Sequence, residues 1–277
     1  MSNMSAPPRL VAPPYDTAIL PWYGGRFDAA FVALHPFFAL PGVDPAACAH
    51  GTLVMERDEV PEGMSLRDHL DAQQAGRHAD VTLDEDAVDM AAKAQGIAMS
   101  WSVLAARAGF ADHRAVNRAL RTHIRALKPA FADPQGAAAL EAFCAREKLF
   151  LPTEGVFQPL MEARLAALFA ACGCERVVVG DEFGEEQEVR PRAVLEDARP
   201  WHLVPDYPRN LPRRLLAEDG SLMACVDWDS FFTLILGTHA RFAEADPGAL
   251  FEGFWCAPDT ELSWQRQAVQ PLVGPSG

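Results

Sequence analysis

Val226-Asp227-Trp228-Asp229-Ser230-Phe231-Phe232-Thr233-Leu234-Ile235-Leu236-Gly237 is the stretch whose reading decides the fold of this chain. It is an apolar run closed by glycine, and a second aromatic run, Phe251-Glu252-Gly253-Phe254-Trp255-Cys256, follows one short helical stretch later. Short apolar runs bounded by glycine and charged turns read as strands. If residues 226–230 are extended as well, successive side chains alternate faces. Asp227 and Asp229 then share one face about 7 Å apart, with Trp228 pointing the other way into the core. Same-face carboxylates at that spacing suit a divalent cation, an Arg or acid–base work.

Working outward, residues 157–171 form an amphipathic helical pattern, and 176–179, 223–228, 231–236 and 253–256 read as strands of a mixed or antiparallel sheet beneath it. Residues 181–188 form an acid-rich turn, 190–220 read as a long Pro- and Arg-rich connection with little regular structure, and 239–245 as a helix. Upstream of 151 the pattern is helical, over 84–95, 101–108, 111–127 and 136–147, and Ser65 followed by Asp68 marks another helix start. Residues 27–38 suit a buried strand or a short helix equally, 41–62 read as loop, and 1–15 as an irregular arm. The expected architecture is α+β: a helical part over 16–150 packed on an α+β part over 151–277, the two folding together.

A length of 277 residues fits one large domain or two smaller ones, and 49% hydrophobic against 22% charged residues rules out global disorder. Against 24 Lys and Arg stand 38 Asp and Glu, a net charge of −14. That field disfavours nucleic acid and anionic membranes and favours a basic protein partner. No apolar run approaches a bilayer span. The N-terminus shows no basic segment followed by an apolar one, so the expectation is a cytoplasmic protein whose six cysteines stay reduced. G-x-S-x-G, the P-loop, G-x-G-x-x-G, H-E-x-x-H and C-x-x-C are all absent, and Cys172-x-Cys174 is too tight for a zinc knuckle. No cofactor is expected, although a divalent metal has candidate ligands in Asp181, Asp227 and Asp229.

Residues 102–121 have a helix, a glycine turn at Gly109 and a second helix, a spacing that resembles one helix-turn-helix of the AraC-type regulators. Arg114, Arg118, Arg121 and Arg125 fall on one stripe of that second helix, opposite Val116, Leu120, Ile124 and Leu127. A DNA-reading helix has this form, and so does an ordinary solvated helix face. The single unit and the acidity of the rest of the chain favour the second account.

Four segments together resemble an uncharacterised bacterial domain-of-unknown-function family, number 2711. They are Gly25-Arg26-Phe27 through Ala33-Leu34-His35-Pro36-Phe37-Phe38, Pro152-Thr153-Glu154-Gly155, Val179-Gly180-Asp181-Glu182-Phe183, and Trp228-Asp229 with the 251–256 run. The resemblance spans about residues 15–265. It implies one co-folded unit and a bacterial, cytosolic setting, and it groups Glu154, Asp181, Glu182 and Asp229 as motif positions without giving them a role.

Three functional readings follow. The first is an acidic module that holds a basic protein partner, as immunity or accessory proteins do. The second is a small-molecule-binding enzyme with Glu154, Asp181, Glu182, Asp227 and Asp229 lining a pocket, with or without a metal. The third is a DNA-binding regulator using the Arg stripe. If the carboxylates converge, the expected counter-charge is Arg, which this chain has in number.

Overall fold

The computed structural model describes residues 10–52, 60–78, 81–204, 212–264 and 269–275. In chain order its elements are α1 (Ile19–Trp22), β1 (Ala29–Leu34), β2 (Phe37–Ala39), α2 (Leu66–His78), α3 (Glu85–Gln95), β3 (Ile97–Met99), α4 (Trp101–Ala108), α5 (His113–His123), α6 (Pro134–Glu147), α7 (Pro159–Ala171), β4 (Arg176–Gly180), β5 (Gln187–Pro191), β6 (Arg214–Ala217), β7 (Leu222–Cys225), β8 (Phe232–Gly237), α8 (His239–Glu244) and β9 (Gly253–Trp255). The fold is α+β. Two compact units emerge: Met1–His35 together with Gly155–Gly277, and Pro36–Glu154, which is inserted between those two pieces in sequence.

The first unit is built on a seven-stranded antiparallel sheet in the order β5-β4-β6-β7-β8-β1-β9. Strands β6, β7 and β8 are buried at every position, which is why β7 and β8 read as nearly continuous apolar runs rather than alternating ones, while β6 opens on a buried arginine, Arg214. One face, carrying Val177, Val179, Leu215, Ala217, Ala224, Ile235 and Phe31, packs with Met161, Leu165, Leu168 and Phe169 of α7. The ambiguous segment 27–38 resolves into β1, which lies between β8 and β9, followed by β2 of the second unit. Gly237 ends β8 where a Cβ would stand 2.8 Å from the Phe242 ring, and Thr238 then caps α8 by accepting from Arg241 N.

Two expectations about this sheet are corrected. Part of 190–220 is not a connection, because β6 within it lies between β4 and β7. Its leading Arg-Arg pair disguised it, since arginines normally mark solvent. The strand expected over 223–228 stops at Cys225, and residues 227–230 form a turn. Ser230 causes this: its N–H and its hydroxyl both donate to the Asp227 carbonyl (3.1 and 2.8 Å), and its Oγ accepts from Asp227 N (3.2 Å). Asp227 and Asp229 therefore do not share a strand face.

The second unit holds α2 to α6 and the two-stranded β2–β3 sheet. Its helices start on side-chain caps: Asp84, Ser100, Asp112 and Asp133 each accept a backbone N–H from the first turn. The expected start at Ser65 is present, with Ser65 Oγ accepting from Asp68 N and donating to Asp68 Oδ2. Reciprocal backbone hydrogen bonds between Phe38 and Phe150 (3.3 and 2.7 Å) tie the two ends of the insert together. A buried His50–Asp89 pair (3.4 Å) sits beside them, its imidazole edge-on to the rings of both phenylalanines. Among the described residues, no helix is long and apolar enough to cross a membrane.

Candidate functional site

Because β6 runs antiparallel to β4 and β7, the end of β4, the start of β6 and the end of β7 meet at one end of the first unit's sheet. Charged and aromatic groups collect there. Arg213, just before β6, forms an ion pair with Glu182, just after β4, at 2.5 Å. The Arg213 guanidinium also lies over the Trp228 ring, 4.8 Å from its centroid. Trp228 itself is 61% exposed, so the expectation of a core tryptophan is corrected: the 227–230 turn carries it to the surface. Gly155 supports that turn from beneath, donating its N–H to the Ser230 carbonyl (3.1 Å) at φ +63°. A Cβ on Gly155 would stand 2.4 Å from the Trp228 carbonyl oxygen.

Asp181 is buried, and its Oδ1 accepts from Glu185 N (2.9 Å), shaping the β4–β5 turn. Its charge acts on Arg214, which in turn interacts with Cys225 and Tyr23, and these three are all nearly inaccessible. Burial draws the Arg214 guanidinium down from its ordinary value, with Cys225, Asp181 and Tyr23 acting the opposite way. Burial pushes the Cys225 thiol up to about 12, and the Asp227 carboxylate adds to that shift. The Tyr23 phenol is also raised by burial, and its hydroxyl donates to the Val11 carbonyl at 2.9 Å. The Cys225 thiol and the Tyr23 phenol are held in their uncharged forms at neutral pH and are poor nucleophiles.

The carboxylates singled out from the sequence thus take separate roles. Glu182 pairs with Arg213, Asp181 builds a turn, and Asp227 and Asp229 flank the exposed Trp228 at intermediate burial. Glu154 belongs to the second unit, where its Oε1 accepts from the Thr52 hydroxyl at 2.5 Å. Among the described residues, no group of three or more His, Cys, Asp or Glu side chains is placed to hold a metal ion. Tyr23, Arg213 and Arg214 escaped the sequence reading. Only the adjacency of two arginines after a Pro-rich stretch could have signalled the latter pair.

A family model described as "Protein of unknown function (DUF2711)" matches residues 15–266. The chain belongs to this family. The Gly155, Gly180–Glu182 and Trp228 segments that carried the resemblance to DUF2711 in the sequence thereby acquire geometry, since Gly155 backs the Trp228 turn and Glu182 fixes the arginine stacked on it. Among curated proteins and among solved structures, no match was found.

The arginine stripe of the second unit is not a stripe. Helix α5 ends at His123, and Arg125 takes a left-handed backbone (φ +57°). The hydrogen bonds Ala126 N to Arg121 O and Arg125 N to Thr122 O close a Schellman motif there. Arg121 is 5% exposed and reaches the Ala126 carbonyl at 3.5 Å, and Arg114 lies 4.0 Å from Asp112. Arg118 and Arg125 remain exposed, the latter beyond the helix. The even stripe expected from an uninterrupted helix over 111–127 fails because the C-terminal cap turns the chain before Arg125.

Proposed function

We propose that this protein is a non-catalytic binding module that holds a basic protein partner at the Trp228 end of its sheet. The observation that carries the reading is Trp228, 61% exposed yet fixed by the Arg213 stack and, through it, by Glu182. Tryptophan is the residue type most enriched among interface hot spots, and an aromatic already ordered before binding loses little entropy on association. Phe183, 56% exposed, sits in the β4–β5 turn at the same end. Glu182, Asp227 and Asp229 border these aromatics, and a net charge of −14 adds long-range attraction for a cationic surface.

The test is affinity capture by the immobilised full chain from extract of its source cells, at about 0.1 M and about 0.5 M salt. Captured proteins should be basic, released at the higher salt, and absent when Trp228→Ala replaces the wild type. Retention of the same proteins by Trp228→Ala, or capture of acidic ones insensitive to salt, would refute the reading.

A further inference from the structure

On the sheet face opposite α7, a cavity of about 240 Å³ lies between the N-terminal segment at Leu10 and Val11 and the β4–β6 pair, walled by Val178 and Leu216. Its polar groups are Gln187 and Arg214. The register explains how an arginine comes to lie there. Arg214 stands opposite Gly180 and Gly180 opposite Gln187, so the three form one row across β6, β4 and β5. Lacking a Cβ, Gly180 lets the guanidinium lie flat across its strand: a methyl there would stand 2.6 Å from Nη2 and 3.1 Å from Nε.

Arg214 is 97% buried by its 3% exposure, and the groups it bonds are neutral. Nη1 donates to the Leu10 carbonyl and Nη2 to the Gln187 amide oxygen, each at 2.8 Å, while the buried Nε–H has no partner. A desolvated cation that lines an apolar cavity and hydrogen-bonds only to neutral groups is an incomplete anion site. Asp181 already opposes the charge of the same guanidinium, which disfavours a dianion more than a monoanion. At about 30 Å³ per water, the cavity has room for about eight non-hydrogen atoms.

We infer that this cavity binds a small monocarboxylate with a short hydrocarbon tail, its carboxylate on Arg214 and its tail against Leu10, Val11, Val178 and Leu216. This site is independent of the protein-binding reading, because Trp228 and Arg213 take no part in it.

The probe is sodium hexanoate, titrated at pH 7 into the full chain by calorimetry, with hexanamide as the uncharged isostere and inorganic phosphate as the compact anion. Hexanoate should bind saturably with a Kd on the order of 1 mM or tighter, hexanamide at least about tenfold more weakly, and phosphate not measurably. Arg214→Gln should erase the preference for hexanoate over hexanamide. Since that variant strips the Leu10 carbonyl and Gln187 of a buried donor, Val11→Phe serves as the second: it fills the cavity, leaves every charge in place, and should abolish hexanoate binding while the melting transition persists. Equal binding of hexanoate and hexanamide, undiminished binding to folded Val11→Phe, or no saturation of the folded wild type up to about 50 mM would each overturn the inference.

Discussion

Trp228 is held on the surface by residues far from it in sequence. Arg213 stacks on its ring and Gly155 lies against its carbonyl oxygen. Gly155 meets two demands at once, a left-handed backbone and the absence of a Cβ. Gly155→Ala is therefore expected to cost about 1–3 kcal/mol of stability, through strain and displacement of the 227–230 turn. Urea denaturation measures this, and an unchanged midpoint would show that the turn is not seated on Gly155. The sequence made Gly155 conspicuous without supplying its reason, because the contact joins positions some seventy residues apart. The same limit explains Trp228. The strand expected over 223–228 carries the chain straight through Asp227 to Trp228, whereas the Ser230 hydroxyl bonds to Asp227 and turns it. The alternation argument for Asp227 and Asp229 failed at that one hydroxyl.

At the scale of elements, Arg241 joins three pieces of the first unit. From α8 its Nε donates to Ser221 Oγ (2.7 Å), its Nη2 to Asp219 in the β6–β7 turn (2.7 Å), and its Nη1 to the carbonyl of Cys172 at the end of α7 (2.5 Å). Arg241→Ala should lower stability by about 2–3 kcal/mol, since several charge-assisted bonds go and the Cys172 carbonyl loses its donor. Thermal denaturation by circular dichroism reads it, and Arg241→Lys should recover only part, because one ammonium cannot fork between the three acceptors. Asp219 adds a pH dependence. Hydrogen bonds from the Ser221 hydroxyl and N–H, and then from Arg241, hold its carboxyl down to about 2. A depressed folded-state value stabilises above the unfolded pKa of about 3.9, and that contribution fades as pH falls through about 2. The side chain is half exposed, so solvent screening keeps the effect below about 1 kcal/mol. Asp219→Asn should flatten the stability curve between about pH 4 and 2; an unaltered acid limb would remove Asp219 from that role. Strands β8 and β9 and helix α7 were legible because their apolar runs match their burial. Strand β6 was not, since its first residue is an arginine that lies buried across Gly180 rather than in water.

For the molecule as a whole, the sheet of the first unit depends on its last strand. Strand β9 covers the outer edge of β1, and Trp255 stacks edge-on against Phe31 at 5.2 Å. A chain ending at residue 251 should lose cooperative melting, because β1 would then carry an open apolar edge; a sharp transition at the temperature of the full chain would contradict that dependence. Helical and sheet character were readable at this scale from periodicity. The strand that closes the sheet from the N-terminal side was ambiguous, since six apolar residues suit helix and strand alike. That arrangement reaches into biosynthesis. Ala29–Leu34 leaves the ribosome about two hundred residues before Phe232–Gly237 and Gly253–Trp255, the strands it must lie between. At about 5–20 residues per second the wait is on the order of 10–40 s. Throughout it, Ala-Ala-Phe-Val-Ala-Leu waits without the two strands it pairs with in the sheet, a nascent apolar segment open to non-native pairing.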